Sequence, residues 1–177
     1  MRIRDLRRDR SGKSGNDVKT GKAGSSIKTG KKRKDEGFNE QVRELAKDER
    51  IRRMKEFVQH GDISTYKHCL RVAKKSYGIA KKFPIRIKMH EMLKGAMLHD
   101  YFLYDWHSHG DKLHGYHHPA IALKNAGRDF DLTDTEKNII HSHMWPLTLS
   151  AIPKCREAVI VCIADKLCSL EETLRKH

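Results

Sequence analysis

The sequence predicts an all-α domain of about six helices behind a basic N-terminal tail, on three observations. After residue 37 the apolar residues recur at helical spacing, and the segments they form are bounded by capping residues, glycines and prolines. No stretch shows the polar–apolar alternation of a half-buried strand or the turn chemistry of a hairpin. Nor does any repeat of roughly 20 to 50 residues run through the chain.

Each element follows in order. Val42, Leu45 and Ala46, then Ile51, Met54, Phe57 and Val58, mark an amphipathic helix or two from Glu40, which Gly61-Asp62 breaks. Ser64 or Thr65 can cap a second helix with Cys69, Leu70, Val72, Ala73, Tyr77 and Ala80 as its apolar positions. Beyond Pro84 a third helix runs from about Ile87 through Met92, Leu93, Ala96, Met97 and Leu98 to His99-Asp100, and ends in the aromatics Tyr101, Phe102, Tyr104 and Trp106. Asp105 to His117 carries glycines and histidines without periodicity and reads as a loop. Pro119 suits the first turn of a short helix, Ala120 to Ala126, that Gly127 can terminate. Thr133-Asp-Thr-Glu136 is a capping box for a helix through Ile139, Ile140 and His143, stopped by Trp145-Pro146. Pro153 opens the last helix, and its segment Ala158 to Ala164 is apolar nearly all round, as in a core.

The charge is unevenly distributed. Of 177 residues, 37 are Lys or Arg and 23 Asp or Glu, a net charge of +14, and residues 1 to 35 carry 13 of the former and 4 Asp, a net +9. This length suits one domain, expected over residues 37–177, with a tail over 1–36. The tail has few apolar side chains to offset the cost of ordering it and is expected to be disordered. Two readings of it stand: a weak nucleic-acid tether acting through counterion release, or a solubilising extension. The apolar run Ala158 to Ala164 is far short of the roughly 18 residues of a membrane span. The basic N-terminus leads into Ser, Gly and Lys and not an apolar core, so no secretory signal is read; a cytoplasmic protein without a membrane partner is expected. Cys69, Cys155, Cys162 and Cys168 form no C-x-x-C and are expected to be reduced packing residues.

Nine of the twelve histidines lie between His90 and His143, a density that metal chemistry or pH sensing could use. Singly, each candidate is bland. Asp165 on the apolar last helix reads by itself as a rim carboxylate with solvent access, and Lys166, about 100° round the helix, is poorly aimed to neutralise it. His99-Asp100 stands where a helix ends, the one place where adjacent side chains can reach a common ion away from the axis. His68 is one helix earlier, and His118 and His143 are on two later helices.

Together, His68, His99-Asp100 and Asp165 in Ile-Ala-Asp-Lys-Leu resemble the H…HD…D signature of HD-domain metal-dependent phosphohydrolases, over roughly Tyr66 to Glu171. His118-Pro119 and Ile139-Ile140-x-x-His143 resemble the H-P step and the I-x-x-H helix of the two-metal branch of that superfamily. The resemblance implies an HD-type helical domain in which His68, His99, Asp100 and Asp165 hold one divalent ion and His118 and His143 a second, Asp100 bridging. It also implies that His99 and Asp100 stand at the reacting centre of a phosphomonoesterase or phosphodiesterase driven by a metal-activated hydroxide, with a nucleotide as the expected substrate. Such mixed imidazole and carboxylate donors suit one or two ions of Fe, Mn, Zn or Co. His141 competes with His143, and His117 with His118. The Gly-Tyr-Pro element of HD-GYP phosphodiesterases is absent after His143, which argues against cyclic di-GMP.

For substrate phosphate, Lys67, Arg71 and Lys74 share one side of the helix that bears His68; a plain solvated face is the competing reading. Tyr101, Phe102, Tyr104 and Trp106 could stack a nucleobase or simply fill the core. The rival to an enzyme is a metal- or nucleotide-binding module without turnover, whose tail recruits nucleic acid or a partner.

Overall fold

A computed structural model describes residues 37–104 and 113–174. Seven helices and one two-stranded hairpin make up these residues. In chain order they are α1 (37–45), α2 (Glu49–Arg53), β1 (Val58–His60), β2 (Ile63–Ser64), α3 (Thr65–Ala80), α4 (Met89–Leu98), α5 (His114–Asp129), α6 (Asp134–Ser142) and α7 (Arg156–Leu174). The fold is all-α, as the periodicity predicts.

Local chemistry sets most boundaries. Asp48 caps α2 by accepting from the Arg50 N–H, and Ser64 caps α3 by accepting from the Lys67 N–H. At α6 the capping box closes in both directions, the Thr133 side chain accepting from Glu136 N and Glu136 accepting from Thr133 N. Glu157, buried near the start of α7, accepts from the Lys88 N–H just ahead of α4 and joins the two helix starts.

The core gathers the inner faces of α3, α4, α6 and α7. Val72 and Ala73 of α3, Met92, Leu93, Ala96 and Met97 of α4, Ile139 and Ile140 of α6, and Val161 and Ala164 of α7 are fully buried. At Gly95 α4 and α6 meet closely: a Cβ there would lie 2.7 Å from Ile139 Cδ1. Glycine lets the helix carrying His99 and the helix carrying His143 approach each other.

Three expectations are corrected. A hairpin exists, β1 pairing with β2 antiparallel across Gly61 at φ 56°. With strands of three and two residues it has no alternation to read, and only the left-handed glycine signals the turn. The second correction concerns α5, which begins at His114, well before Pro119, its first turn secured by the Tyr116 and His117 N–H groups donating to Leu113 O. Pro119 therefore sits inside the helix. Third, α5 runs through Gly127 to Asp129, because the Phe130 N–H still donates to Ala126 O beyond it. The tail, and Asp105, Trp106, His107 and His109, lie outside the described residues.

Candidate metal centre

Five helices, with the turn that follows α4, bring the predicted residues to one buried point. His68 stands on the first turn of α3, His99 caps the C-terminus of α4 with Asp100 next, His118 lies on α5, His143 caps α6 and Asp165 is midway along α7. All six are buried, none more than 5% exposed. The end of α4 turns back on itself, with Phe102 N–H donating to Asp100 O at 2.8 Å. That turn lets His99 and Asp100 converge although they are neighbours in sequence.

The contacts divide into two groups. His68 Nε2 is 3.1 Å from Asp165 Oδ1, and His99 Nε2 is 3.7 Å from the same oxygen and 3.3 Å from Asp100 Oδ2. On the other side Asp100 Oδ1 is 3.2 Å from His118 Nε2 and 3.3 Å from His143 Nε2, and these two nitrogens are 2.8 Å apart. His68, His99 and Asp165 form one set able to hold an ion, and Asp100, His118 and His143 another. Asp100 faces both through its two oxygens. Cys69, His99 and Asp100 form a third, overlapping set.

The imidazoles are aimed from behind. His99 Nδ1 donates to Ala96 O and His143 Nδ1 to Ile140 O, each at 2.8 Å, and His68 Nδ1 meets Glu172 Oε2 at 2.9 Å. Each bond engages Nδ1 from behind and turns Nε2 inward. Among the atoms that face one another here, His99 Nε2 and Asp100 Oδ1 are left without a hydrogen-bond partner. Buried polar atoms are costly to strand, and positive charge between these nitrogens and carboxylate oxygens, a proton or a metal ion, satisfies both. The donor set fits divalent transition-metal ions.

The titration pattern places positive charge at the same point. Burial opposes charge on all of these groups, yet the Asp165 and Glu172 carboxylates hold His68 up at about 10 and the Asp100 carboxylate holds His99 well above its usual range. Burial likewise works against the Asp100 and Asp165 carboxylates, and the surrounding imidazoles still hold both well below the normal range. His143 goes the other way: burial, aided by repulsion from His99 and His118, takes it down to about 4, so its ring is neutral and free to donate a lone pair. Positive charge has to be present, as protons on His68 and His99 or as metal.

The competing candidates separate by burial. His141 and His117 are exposed, on the outer sides of α6 and α5, while His143 and His118 face inward. Asp165 does not have the solvent access that its sequence alone suggested: α3 and α4 cover it, and Ser169 Oγ donates to it at 3.4 Å. Lys166 is turned mainly elsewhere, its Nζ donating to His143 O at 2.7 Å and lying 3.7 Å from Asp165 Oδ2. Tyr101 and Phe102 are core residues, the Tyr101 hydroxyl donating to Asp129 Oδ2 at 3.1 Å. The three cations diverge. Arg71 Nη1 lies 3.0 Å from Glu172 Oε1 and Nη2 3.4 Å from Glu171, Lys67 is exposed, and Lys74 lines a cleft with Phe38 and Tyr77 away from the centre.

Two residues of the site are not foreseen. Gln59, on β1, donates from Nε2 to Asp100 Oδ2 at 2.7 Å, while its Oε1 accepts from Thr65 Oγ1 at 3.4 Å. No local pattern marks it. Glu172 stands seven residues after Asp165, two turns on and so on the same face of α7, a spacing that could have pointed to it.

A family model described as HD domain matches residues 65–170, more than half of the chain. Neither a search of curated proteins nor one of solved structures gives a match. HD domains are typically metal-dependent phosphohydrolases that bind divalent ions, and the matched span contains all five segments that bring His68, His99-Asp100, His118, His143 and Asp165 together. The chain belongs to the HD domain family.

Proposed function

We propose that this protein is a metal-dependent phosphohydrolase that cleaves a phosphomonoester or phosphodiester, with a nucleotide as its substrate. The observation that carries the reading is the convergence of four inward imidazole nitrogens and two carboxylates on one buried point, with His99 Nε2 and Asp100 Oδ1 unpartnered. His68, His99, Asp100 and Asp165 would hold one ion, and His118 and His143, with Asp100, a second. Divalent ions bound there would supply charge to neutralise phosphoryl oxygens and would lower the pKa of water to give a nucleophile near neutral pH.

The chain's own residues do the rest. Asp100 stands between the two sets, and Gln59 fixes its rotation by occupying one lone pair of Oδ2. Glu172 meets Nδ1 of His68 from behind, and Arg71 Nη1, 3.0 Å from Glu172 Oε1, holds that carboxylate in place. Arg71 is thereby assigned to positioning, which leaves Lys67, exposed on the first turn of α3, as the cation of the original three for substrate phosphate.

The test is hydrolysis of a panel of nucleotides and a chromogenic phosphodiester, with Mn(II), Fe(II), Co(II) or Zn(II) supplied. Turnover that needs the metal and is lost in Asp100→Ala supports the reading. Stoichiometric metal binding with no turnover on any phosphoester would instead make the protein a binding module.

A further inference from the structure

The outer face of α7 is as apolar as its inner one. Val159, Ile163, Leu167, Leu170 and Leu174 follow at spacings of 4, 4, 3 and 4 residues, which keeps them on one stripe, and they are 43 to 65% exposed. The connection between α6 and α7 adds Trp145, Leu149 and Ile152, at 40 to 74%. Two bonds tie this connection along the edge of the stripe: the Cys162 thiol donates to Trp145 O at 3.0 Å, and Lys166 Nζ donates to His143 O. The two sets therefore form one patch.

Its size is out of proportion to a monomer. Eight large side chains, each about half exposed, present on the order of 800 Å², about what one partner buries in a stable interface. The largest apolar patch of a typical monomer is roughly 300 to 600 Å². A helix apolar all round belongs inside a core, and the inner face of α7 already fills one against α3, α4 and α6. No helix among the described residues is long and apolar enough to cross a membrane.

We propose that this face is where a second copy of the chain docks, α7 against α7 about a two-fold axis. An isologous interface needs a surface that complements itself, and a stripe of 3- and 4-residue spacing does, since its ridges fit the grooves of an identical helix. Lys166, at the edge of the stripe, turns its ammonium inward to His143 O and so does not oppose its symmetry mate. The chain's own residues 1–36 are a poor cover: beyond Met1 they offer only Ile3, Leu6, Val18 and Ile27 as large apolar groups. Their net positive charge would also meet Lys154 and Arg156 at the head of the patch.

Sedimentation of the full chain over a range of concentrations, up to about 100 µM, tests this. The wild type should have twice the chain mass of 20.5 kDa at the upper end. Ile163→Glu with Leu170→Glu should weaken dimerisation at least tenfold while circular dichroism keeps its helical signal. Leu149→Lys, three-quarters exposed and off the helix, should weaken it too, so that a folding defect in the α7 variant leaves the proposal open to refutation. A wild type that stays monomeric overturns it, and so does a dimer unchanged in folded variants. Monomers that co-sediment with phosphatidylserine vesicles through these same residues would assign the patch to a membrane surface instead.

Discussion

On α7 the usual arrangement of polar and apolar residues is inverted over part of its length. Asp165 and Glu172 point into the protein, while Ile163, Leu167 and Leu170, on adjoining turns, point out. Both placements oppose transfer free energy, and each is compensated differently. The inward carboxylates are met by His68, His99 and Arg71, and that cluster still leaves two polar atoms for an ion. The outward apolar groups find no compensation within the described residues of the chain. One helix thus serves the centre with one face and, on the reading above, a second copy with the other.

The comparison breaks most visibly if a charge is moved between faces. Val161→Glu puts an unpaired carboxylate at a fully buried position two residues from Ile163. It should cost more than about 4 kcal/mol in chemical denaturation, whereas Ile163→Glu should leave the stability of the monomer within about 0.5 kcal/mol. Equal losses would mean that the exposed face is packed. Next in size is Glu172→Gln, which keeps shape and removes the charge behind His68. Metal affinity, read by chelator competition, should fall about 10- to 100-fold, since a partner of that kind fixes both tautomer and basicity. An unchanged affinity would detach Glu172 from the centre.

Gly95→Ala probes the contact between α4 and α6 that sets the spacing of His99 and His143. With Ile139 Cδ1 at 2.7 Å from the new methyl group, the loss should be about 1 to 3 kcal/mol. The smallest effect lies outside the centre, at Tyr101. Burial and the hydrogen bond to Asp129 push this phenol up to about 12, so the folded protein favours its neutral form. Its contribution is complete below the unfolded value of about 10 and disappears as pH rises toward 12. The stability difference between the wild type and Tyr101→Phe, about 1 kcal/mol at neutral pH, should shrink over that window. A constant difference would show that Tyr101 does not titrate in this way.

What could be read beforehand follows the range of the physics. The α6 capping box, the end of α4 at His99 and the apolar positions of α3 and α4 are local, and each is found where its spacing puts it, whereas Val159 and Ile163 of the α7 run expected in the core are 44 and 48% exposed. The start of α5 is not, because His114 and Gly115 are weak helix formers and Pro119 is a strong false start. The six residues named from the family resemblance meet at one point, whereas Gln59 arrives from a hairpin too short to leave a pattern. The burial of Asp165 was equally hidden, since it depends on α3 and α4 packing over it. The exposed stripe of α7 is present in the sequence, but it cannot be told from the buried one until the helix is docked.

The central claim is that the buried His and Asp cluster holds divalent metal. The most direct measurement is elemental analysis of metal per chain, on protein prepared with Mn(II) or Fe(II) supplied, beside His99→Ala and Asp100→Ala variants that retain their helical signal. The account predicts one to two equivalents in the wild type and essentially none in Asp100→Ala, whose two oxygens face both sets of ligands. No metal in the wild type, or the same content in folded Asp100→Ala, would contradict it.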